Sequence, residues 1–251
     1  MKPMVIDVNL TNIEQYPPRC FLNPRNEGYR KKREWLKKRF EEGLKIKVLL
    51  DREDKKIHGF IEYVPGEHVW RAVEARNYLF IHCIWINPNS HKNRGYGSDL
   101  VKECVGDIEG RLGVAVVASD GPFMAGKEMF LKNGFTTIEE EGRHQLLVRQ
   151  LREGPLPKFK DYRKQLGRCR DWHIVYSEQC PWVARFIDEL DSAVVAKLKL
   201  EVTKLETPKQ AQNGPSIYSV FTLIRDGKIL ADHYVSNTRF NNIVRKELKK
   251  S

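Results

Sequence analysis

A glycine-bearing segment that carries two cations holds the residues whose types and spacing best suit chemistry. It follows an apolar stretch that ends at Asn87-Pro88, and its members are Lys92, Asn93, Arg94, Gly95, Tyr96, Gly97 and Ser98. The pattern predicts a buried strand, a polar turn, and a helix that runs from about Arg94 to Gly106. Because the first amides of a helix lack partners within it and the helix dipole adds positive potential, such a turn favours a bound anion such as phosphate.

The spacing of this segment separates it from two other phosphate-binding motifs. It lacks the GK[ST] of a P-loop and the third glycine of the dinucleotide fingerprint. Gly95 and Gly97 are expected to let a ligand approach the backbone closely, while Lys92 and Arg94 add mobile positive charge. On spacing alone, the alternative is an ordinary strand-to-helix connection that binds nothing.

The hexapeptide from Lys92 to Gly97 resembles the Q/R-x-x-G-x-G/A pyrophosphate loop of the GNAT N-acetyltransferases, with lysine at its first position. Gly113 to Ala118 resembles the parallel strand that follows in that family, and Met124 to Phe135 resembles the next helix and its Gly-Phe turn. The end of the family's central strand, whose backbone pairs with the pantetheine arm of coenzyme A, is matched by Ile84, Trp85 and Ile86. The resemblance covers roughly residues 4–150. It implies an α/β fold with a mixed central sheet flanked by helices, and acetyl-coenzyme A as the cofactor.

Acetyl transfer to an amine needs a base for the amine proton. His82 lies on the central strand upstream of the expected pantetheine contact, where the resemblance implies a base, and an imidazole titrates in the neutral range. The alternative is a core histidine, with Glu62 and His58 on the preceding strand as other candidates for the base. The tyrosine that serves the family as general acid is replaced by Phe130, which cannot donate a proton and is expected to contact the cofactor.

Composition favours an ordinary globular protein of the cytoplasm. The chain has 251 residues and a net charge of +11, and no apolar stretch is long enough to span a membrane. The five cysteines have no CxxC spacing, which predicts reduced thiols, no disulfide framework and no metal site. The basic stretches at residues 30–39 and 158–170 are expected to be solvated faces. A nucleic-acid-associated module is the alternative, although no known reading element is present.

The last eighty residues predict a second α/β unit. A strand, the pair Cys180-Pro181, a helix, a second strand, a hairpin and a terminal helix resemble a thioredoxin-like domain. One predicted helix carries the apolar stripe Val183, Ile187, Leu190 and Val194. Val183 stands where the redox motif has its second cysteine, and Phe221 replaces the proline that faces it. Cys180, whose thiolate a helix N-terminus favours, is a candidate catalytic or thiol-binding residue, and the alternative is a relic packed against Trp182.

The sequence thus predicts a GNAT domain over residues 1–150, a basic linker over 151–171 and a smaller thioredoxin-like domain over 172–251, an order that resembles the YoaP-like acetyltransferases. The predicted function is transfer of the acetyl group of acetyl-coenzyme A to a small-molecule or peptide amine. The alternative is a coenzyme A sensor or thiol-binding protein that works through Cys180.

Overall fold

The computed structural model describes residues 3–18, 23, 25–53, 55–87 and 95–250. Lys92, Asn93 and Arg94 of the predicted phosphate loop lie outside these residues, as does Cys20. The chain forms two compact units, each discontinuous in sequence. The first unit consists of Met1–Phe21, Leu36–Val69 and Val73–Phe159, and the second of Leu22–Trp35, Trp70–Ala72 and Lys160–Ser251.

The first unit is a sheet with crossing helices. The elements up to its end are, in chain order, β1 (Met4–Val8), α1 (Glu27–Glu41), β2 (Lys45–Leu50), β3 (Ile57–Pro65), β4 (Val73–Glu74), β5 (Tyr78–Ile86), α2 (Tyr96–Gly106), β6 (Gly113–Ala118), α3 (Lys127–Leu131), β7 (Thr136–Glu141), β8 (His144–Gln150) and β9 (Lys158–Phe159). A short 3₁₀ turn spans Gly66–His68. Helix α1 begins in residues of the second unit and ends in residues of the first.

Seven strands form one mixed sheet in the order β1-β2-β3-β5-β6-β8-β7. β5 and β6 are parallel, as predicted, and the other neighbours are antiparallel. The parallel pair requires a crossover, which α2 supplies. One face of the sheet is covered by the core cluster of α2 and α3, whose largest buried members include Tyr63, Leu100, Phe130, Phe135 and Leu147. The predicted mixed α/β sheet is confirmed.

The helix predicted from Met124 to Phe135 is shorter than expected. It extends only over α3, because Gly126 has an extended backbone (φ −68°, ψ 155°) and Phe123 has a positive φ of 65°. Neither conformation continues a helix. Gly134, with φ of 79°, then ends the segment as predicted from the Gly-Phe turn.

The second unit contains a four-stranded sheet in the order β11-β10-β12-β13, with β10 and β11 parallel and the other pairs antiparallel. Its elements from residue 160 onward are α4 (Arg163–Leu166), β10 (Trp172–Tyr176), α5 (Pro181–Asp188), α6 (Ser192–Leu198), β11 (Glu201–Lys204), α7 (Pro208–Gln212), β12 (Phe221–Arg225), β13 (Lys228–Ala231) and α8 (Asn237–Leu248).

The single helix predicted from Val183 to Val194 is in fact two helices, α5 and α6. The side chain of Asp191 accepts a hydrogen bond of 2.8 Å from the amide of Ala193 and so caps the start of α6. An aspartate favours this cap over a place inside a helix, which explains the break. The hairpin predicted at Asp226-Gly227 is confirmed, because both residues have positive φ, 49° and 71°, as a tight two-residue turn requires.

Within the part of the chain that the structure describes, no helix is both long and apolar enough to cross a membrane.

Candidate active site

The candidate active site lies where the sheet of the first unit opens between β5 and β6. The two strands pair in parallel up to Ile81 and Val116. β5 continues to Ile86 beside β3, and β6 continues to Ala118 beside β8. A gap between the two strands therefore begins directly after Ile81, and the edge of β5 from His82 onward faces it.

A β-bulge places His82 at the start of this gap. On the β3 side, Tyr63 pairs with Ile81 and Glu62 with Cys83, so His82 is the extra residue. Because of the bulge, odd-numbered residues before it and even-numbered residues after it face the same core cluster. Leu79 and Ile81 are the residues before the bulge, and Ile84 and Ile86 are those after it. Bulges re-aim side chains and are common beside active sites. The sequence contains no turn residue that signals this one.

His82 lies beside a second buried titratable group. Its side chain and that of Glu62 have no exposed surface, and Nδ1 of His82 lies 3.7 Å from Oε1 of Glu62. The imidazole also packs edge-on against the ring of Phe80, with 6.0 Å between the ring centroids. The structure therefore brings together two of the residues that the sequence offered separately as bases. The catalytic role of His82 stays a prediction.

The three residues predicted to meet the pantetheine arm occupy the strand edge along the gap. Ile84 and Ile86 are half-buried and pack against the core cluster. Trp85 points to the opposite face, where its ring lies 6.2 Å from that of Phe60. Because side chains alternate while the backbone edge is continuous, the groups that face the gap are peptide N–H and C=O groups. Their contact with a cofactor stays a prediction.

The N-terminus of α2 has an open side at Gly95. Gly95 adopts a left-handed conformation, with φ of 78° and ψ of 2°, and its carbonyl accepts a hydrogen bond of 3.0 Å from the amide of Asp99. No described atom lies within 4 Å of the place where a Cβ on Gly95 would stand. The glycine-to-helix turn and its open side fit a phosphate group held by first-turn amides. Tyr96 at the next position is only 8% exposed.

Gly97, the other glycine of the segment, faces a neighbouring side chain and not an open space. A Cβ on Gly97 would lie 2.7 Å from the sulfur of Met129, so the space expected for a ligand at this position is filled by α3. Ser98 is held by the same segment, since its Oγ accepts a hydrogen bond of 2.9 Å from Nδ2 of Asn133. Neither Met129 nor Asn133 was predicted to lie at the site. Their only signal was the position of the Asn-Gly-Phe turn after the loop.

Phe130 lies fully within the core cluster and packs edge-on against Phe135, with 5.5 Å between ring centroids. The position therefore supplies packing and no proton donor. Contact of Phe130 with the cofactor stays a prediction.

Cys180 belongs to the second unit, at the start of α5. It is the N-cap residue, and its carbonyl accepts hydrogen bonds from the amides of Val183 (3.1 Å) and Ala184 (3.2 Å). Its side chain is half-buried at the edge of the second core cluster, and it is not part of a disulfide. Val183 is fully buried, as is Phe221, which packs edge-on against Phe186 at 5.6 Å. Neither position can supply a resolving thiol.

Two buried cations hold the residue before Cys180. The ammonium of Lys32 donates a hydrogen bond of 2.9 Å to the carbonyl of Gln179, and the guanidinium of Arg71 donates one of 2.8 Å to its side-chain oxygen. Arg71 also stacks over Tyr218, 4.3 Å from the ring centroid. These contacts fix the loop in front of α5 and place positive charge near it. No local pattern predicts these contacts, because Lys32 and Arg71 lie far from Gln179 along the chain.

A family model described as the acetyltransferase (GNAT) family matches residues 10–135, half of the chain. Over 249 residues, the chain is 27% identical to "Uncharacterized N-acetyltransferase YoaP" of Bacillus subtilis (strain 168), which covers 95% of this chain and 97% of the relative.

The chain also has a limited similarity to two solved acetyltransferase structures. PaiA N-acetyltransferase from Thermoplasma acidophilum, in complex with coenzyme A, has 15% identity and a TM-score of 0.43, and the match covers 60% of this chain and 99% of that one. An acetyltransferase of the GNAT family from Staphylococcus aureus Mu50 has 12% identity and a TM-score of 0.42, over 59% of this chain and 99% of that one.

The chain belongs to the acetyltransferase (GNAT) family. It is accordingly an N-acetyltransferase that uses acetyl-coenzyme A, as the sequence predicted.

Proposed function

We propose that the first unit acetylates an amine at the gap between β5 and β6, with His82 as the general base. The observation that carries this proposal is the end of the β5–β6 ladder at Ile81 and Val116, directly before His82. Bound acetyl-coenzyme A supplies an acetyl group activated as a thioester. The first amides of α2, from Gly95 to Ser98, hold its pyrophosphate, together with Lys92, Asn93 and Arg94 as implied by the family motif.

The protein's own groups then do three things. The backbone edge of Ile84 to Ile86 aligns the pantetheine arm along β5, as a neighbouring strand would, and a peptide N–H of this edge polarises the carbonyl. His82 takes the proton that the attacking amine loses. The departing sulfur is protonated from solvent, because Phe130 carries no acidic hydrogen.

The test measures release of free coenzyme A thiol with a panel of amines: spermidine, an aminoglycoside, a peptide with a free N-terminus and a lysine peptide. We expect His82→Gln to lower kcat by roughly 10²–10⁴-fold and to remove the neutral limb of the pH profile. The matched control is His144→Gln, which replaces a histidine that is equally buried on β8. If His82→Gln keeps the activity and the pH profile of the natural protein, His82 is a core residue and the proposal is wrong.

We also propose that the second unit is a thioredoxin-like domain that serves acceptor or partner recognition. The strand–helix–parallel strand–hairpin–helix order and the antiparallel β12 beside β10 support this proposal. The proposed domain boundaries are those predicted from the sequence, 1–150, 151–171 and 172–251, and they differ from the bounds of the two compact units. A cytoplasmic location is proposed as well, and it agrees with the four cysteines of the described residues, Cys83, Cys104, Cys169 and Cys180, which are not in disulfides.

The hydrogen bonds from Lys32 and Arg71 to Gln179 favour a second candidate function, based on Cys180. They fix the loop before a helix N-terminus and place positive charge there, and both effects favour a thiolate at Cys180. In this function the protein binds a thiol or a thiophile through Cys180, and the first unit senses coenzyme A. A thermal-shift scan separates the two, because a ligand of the folded state raises the melting temperature. Stabilisation by acetyl-coenzyme A with no turnover of the amine panel would favour the sensor.

A further inference from the structure

Strand β11 forms an open edge of the sheet in the second unit. It pairs in parallel with β10, and no other described strand pairs with it. The amide of Leu205, directly after β11, donates a hydrogen bond of 2.7 Å to the carbonyl of Tyr176 on β10. Because every second residue of a parallel strand bonds to its partner, the backbone N–H and C=O groups of Val202 and Lys204 point away from β10. Such an edge is a template for a further strand.

The opposite edge of this sheet is less suited to the addition of a strand. There β13 pairs with β12 across a bulge between Leu223 and Ile224, and bulges of this kind protect a sheet edge. In contrast, β11 keeps a regular register with β10 over all of its residues. Val202 on β11 is also 37% exposed, which leaves an apolar contact open on one face of the strand.

A groove of about 660 Å³ lies along the other face of β11, the face of Glu201 and Thr203. Its buried apolar members are Val175 and Leu205, and the rest of its lining comes from β11, α7 and the segment before β10. This volume is in the range of known ligand sites. Because the side chains of a strand alternate, an added strand would direct every second side chain to this groove and the others to Val202.

The groove carries an excess of positive charge. Arg168 and Lys209 line it, and neither has a carboxylate partner among the described residues. Lys204 is paired with two glutamates outside the groove. Among the described lining residues, Glu201 is the carboxylate, and it lies 3.4 Å from His173. The two cations without carboxylate partners therefore favour acidic side chains on the groove face of an added strand.

We propose that β11 binds an extended acidic peptide by strand addition. The peptide backbone pairs with the outer groups of Val202 and Lys204, its carboxylates lie beside Arg168 and Lys209, and its alternate apolar side chains cover Val202. A peptide suits the edge better than a nucleic acid, because only a peptide backbone matches the donors and acceptors of a strand. The inference gives a site to the recognition role proposed for the second unit, and its place in the acetylation of a peptide rests on that proposed function.

The experiment measures the fluorescence polarisation of a labelled octapeptide of alternating glutamate and valine, titrated with the full chain. The label blocks the peptide N-terminus, so the peptide is not an acetyl acceptor. We expect saturable binding that weakens as the salt concentration rises. The same peptide with lysine in place of glutamate should bind at least roughly tenfold more weakly. In hydrogen exchange, the bound peptide should protect the amides of Val202 and Lys204 and leave those of β13 unchanged.

Variants of the edge and of the groove test the two parts of the site. Val202→Pro removes the outer N–H at a position where an edge strand tolerates proline, so the affinity should fall roughly tenfold or more. Val202→Thr is the matched control, because it keeps the N–H and the branched shape. Lys209→Glu should weaken binding of the glutamate peptide and strengthen binding of the lysine peptide, a reversal that loss of folding would not produce. Lys197→Glu, on α6 outside the groove, should change neither affinity.

The outcomes separate this inference from the proposed function. Equal affinity for the two peptides, or an unchanged affinity in both Val202→Pro and Lys209→Glu, would overturn the peptide site. Protection of the Val202 amide that grows with protein concentration in the absence of peptide would also overturn it, and would assign the edge to a second copy of the chain. The amine-panel kcat should be the same in all of these variants. If the natural protein binds the peptide and acetylates no amine, the proposed acetylation is wrong and the peptide site stands.

Discussion

The sulfur of Met129 lies 2.7 Å from the position that a Cβ on Gly97 would take. The first turn of α2 and the short helix α3 therefore meet at a point where only a hydrogen atom fits. Asn133 adds a second tie between the same segments through its hydrogen bond to Ser98. Packing between α2 and α3 thus sets the position of the helix N-terminus that is proposed to hold the pyrophosphate.

Gly97→Val should act through this packing. Three added carbon atoms would overpack the contact with Met129, and we expect a loss of about 1–3 kcal/mol in the free energy of unfolding. Coenzyme A binding should weaken because the turn is displaced. Gly97→Ala should cost much less, since the end of a methionine side chain is flexible. Urea unfolding and calorimetric titration of coenzyme A measure both effects.

A double-mutant cycle with Met129→Ala checks the cause. The shortened side chain makes room for the valine, so the loss of stability in the double variant should be smaller than the sum of the two single losses. Strict additivity would show that the valine is destabilising for another reason.

Substitution of Gly95 should affect coenzyme A binding directly and stability very little. Gly95→Asn keeps a residue that tolerates positive φ, so stability should change little, but it puts a side chain on the open side of the α2 N-terminus. We expect coenzyme A affinity to fall at least about tenfold, a loss of roughly 1.4 kcal/mol. Gly142→Asn is the matched control, because Gly142 also has positive φ (58°) and open surroundings, in the β7–β8 turn. Equal affinity in the two variants would contradict a pyrophosphate site at Gly95.

The contact between Tyr63 and Asp107 should make stability depend on pH. The hydroxyl of Tyr63 donates a hydrogen bond of 2.6 Å to Oδ2 of Asp107. Burial would raise the pKa of Asp107, but this hydrogen bond, with Lys47 and Lys45, outweighs burial and holds the pKa below its usual value. A carboxyl whose pKa is lower in the folded state stabilises the fold above its unfolded pKa, and this contribution is lost as the pH falls through the folded pKa.

We therefore expect Tyr63→Phe to lose about 1.5–3 kcal/mol of unfolding free energy at pH 7, the range for a hydrogen bond to a charged group, and less at acidic pH where Asp107 is protonated. Urea unfolding at a series of pH values measures the difference. Tyr78→Phe, at another buried tyrosine of the sheet, should show a deficit that does not vary over the acidic range. A deficit of Tyr63→Phe that stays constant down to low pH would contradict the coupling.

Local sequence patterns were sufficient to predict most elements of the fold. The parallel pair β5–β6, the extent of α2 to Gly106 and the Asp226-Gly227 hairpin follow from apolar runs and from glycines that accept positive φ. The predictions were wrong where a single side chain determines the end of one helix and the start of the next. The apolar stripe continues across Asp191, so periodicity predicts one helix where the aspartate cap creates two. Asp191→Ala should cost about 0.5–2 kcal/mol, and Asp191→Asn should restore most of it.

The site was predictable only in part, for the same reason. Motif spacing indicated the phosphate turn, and strand position indicated His82. His82 and Glu62 lie beside a bulge that adds one residue to β5, and nothing in the composition of the strand marks this irregularity. The contact of Gly97 with Met129 joins residues far apart in sequence. Such contacts arise from packing in three dimensions and have no local pattern.

The thiols should differ in their reaction with iodoacetamide, with Cys180 the first to be labelled. Cys180 is half-buried at a helix N-terminus that favours the thiolate. Burial raises the pKa of Cys104 well above its usual value, and burial with the charge of Glu201 raises the pKa of Cys169. Since the thiolate is the reactive form, both should react more slowly. Timed labelling with peptide mass mapping measures the order.

Variants of two neighbouring lysines, Lys31 and Lys32, test why Cys180 is expected to be reactive. Lys32 holds the carbonyl of Gln179 directly before Cys180, whereas Lys31 forms an ion pair with Asp188 at the other end of α5. Lys32→Gln should slow the labelling of Cys180 several-fold, because a positive charge near the thiol is lost and the loop is released. Lys31→Gln should leave the rate unchanged. If Cys169 is labelled before Cys180 in the natural protein, Cys180 is a packed relic and the thiol function is excluded. An equal effect of the two lysine variants would instead assign the reactivity to the helix N-terminus alone.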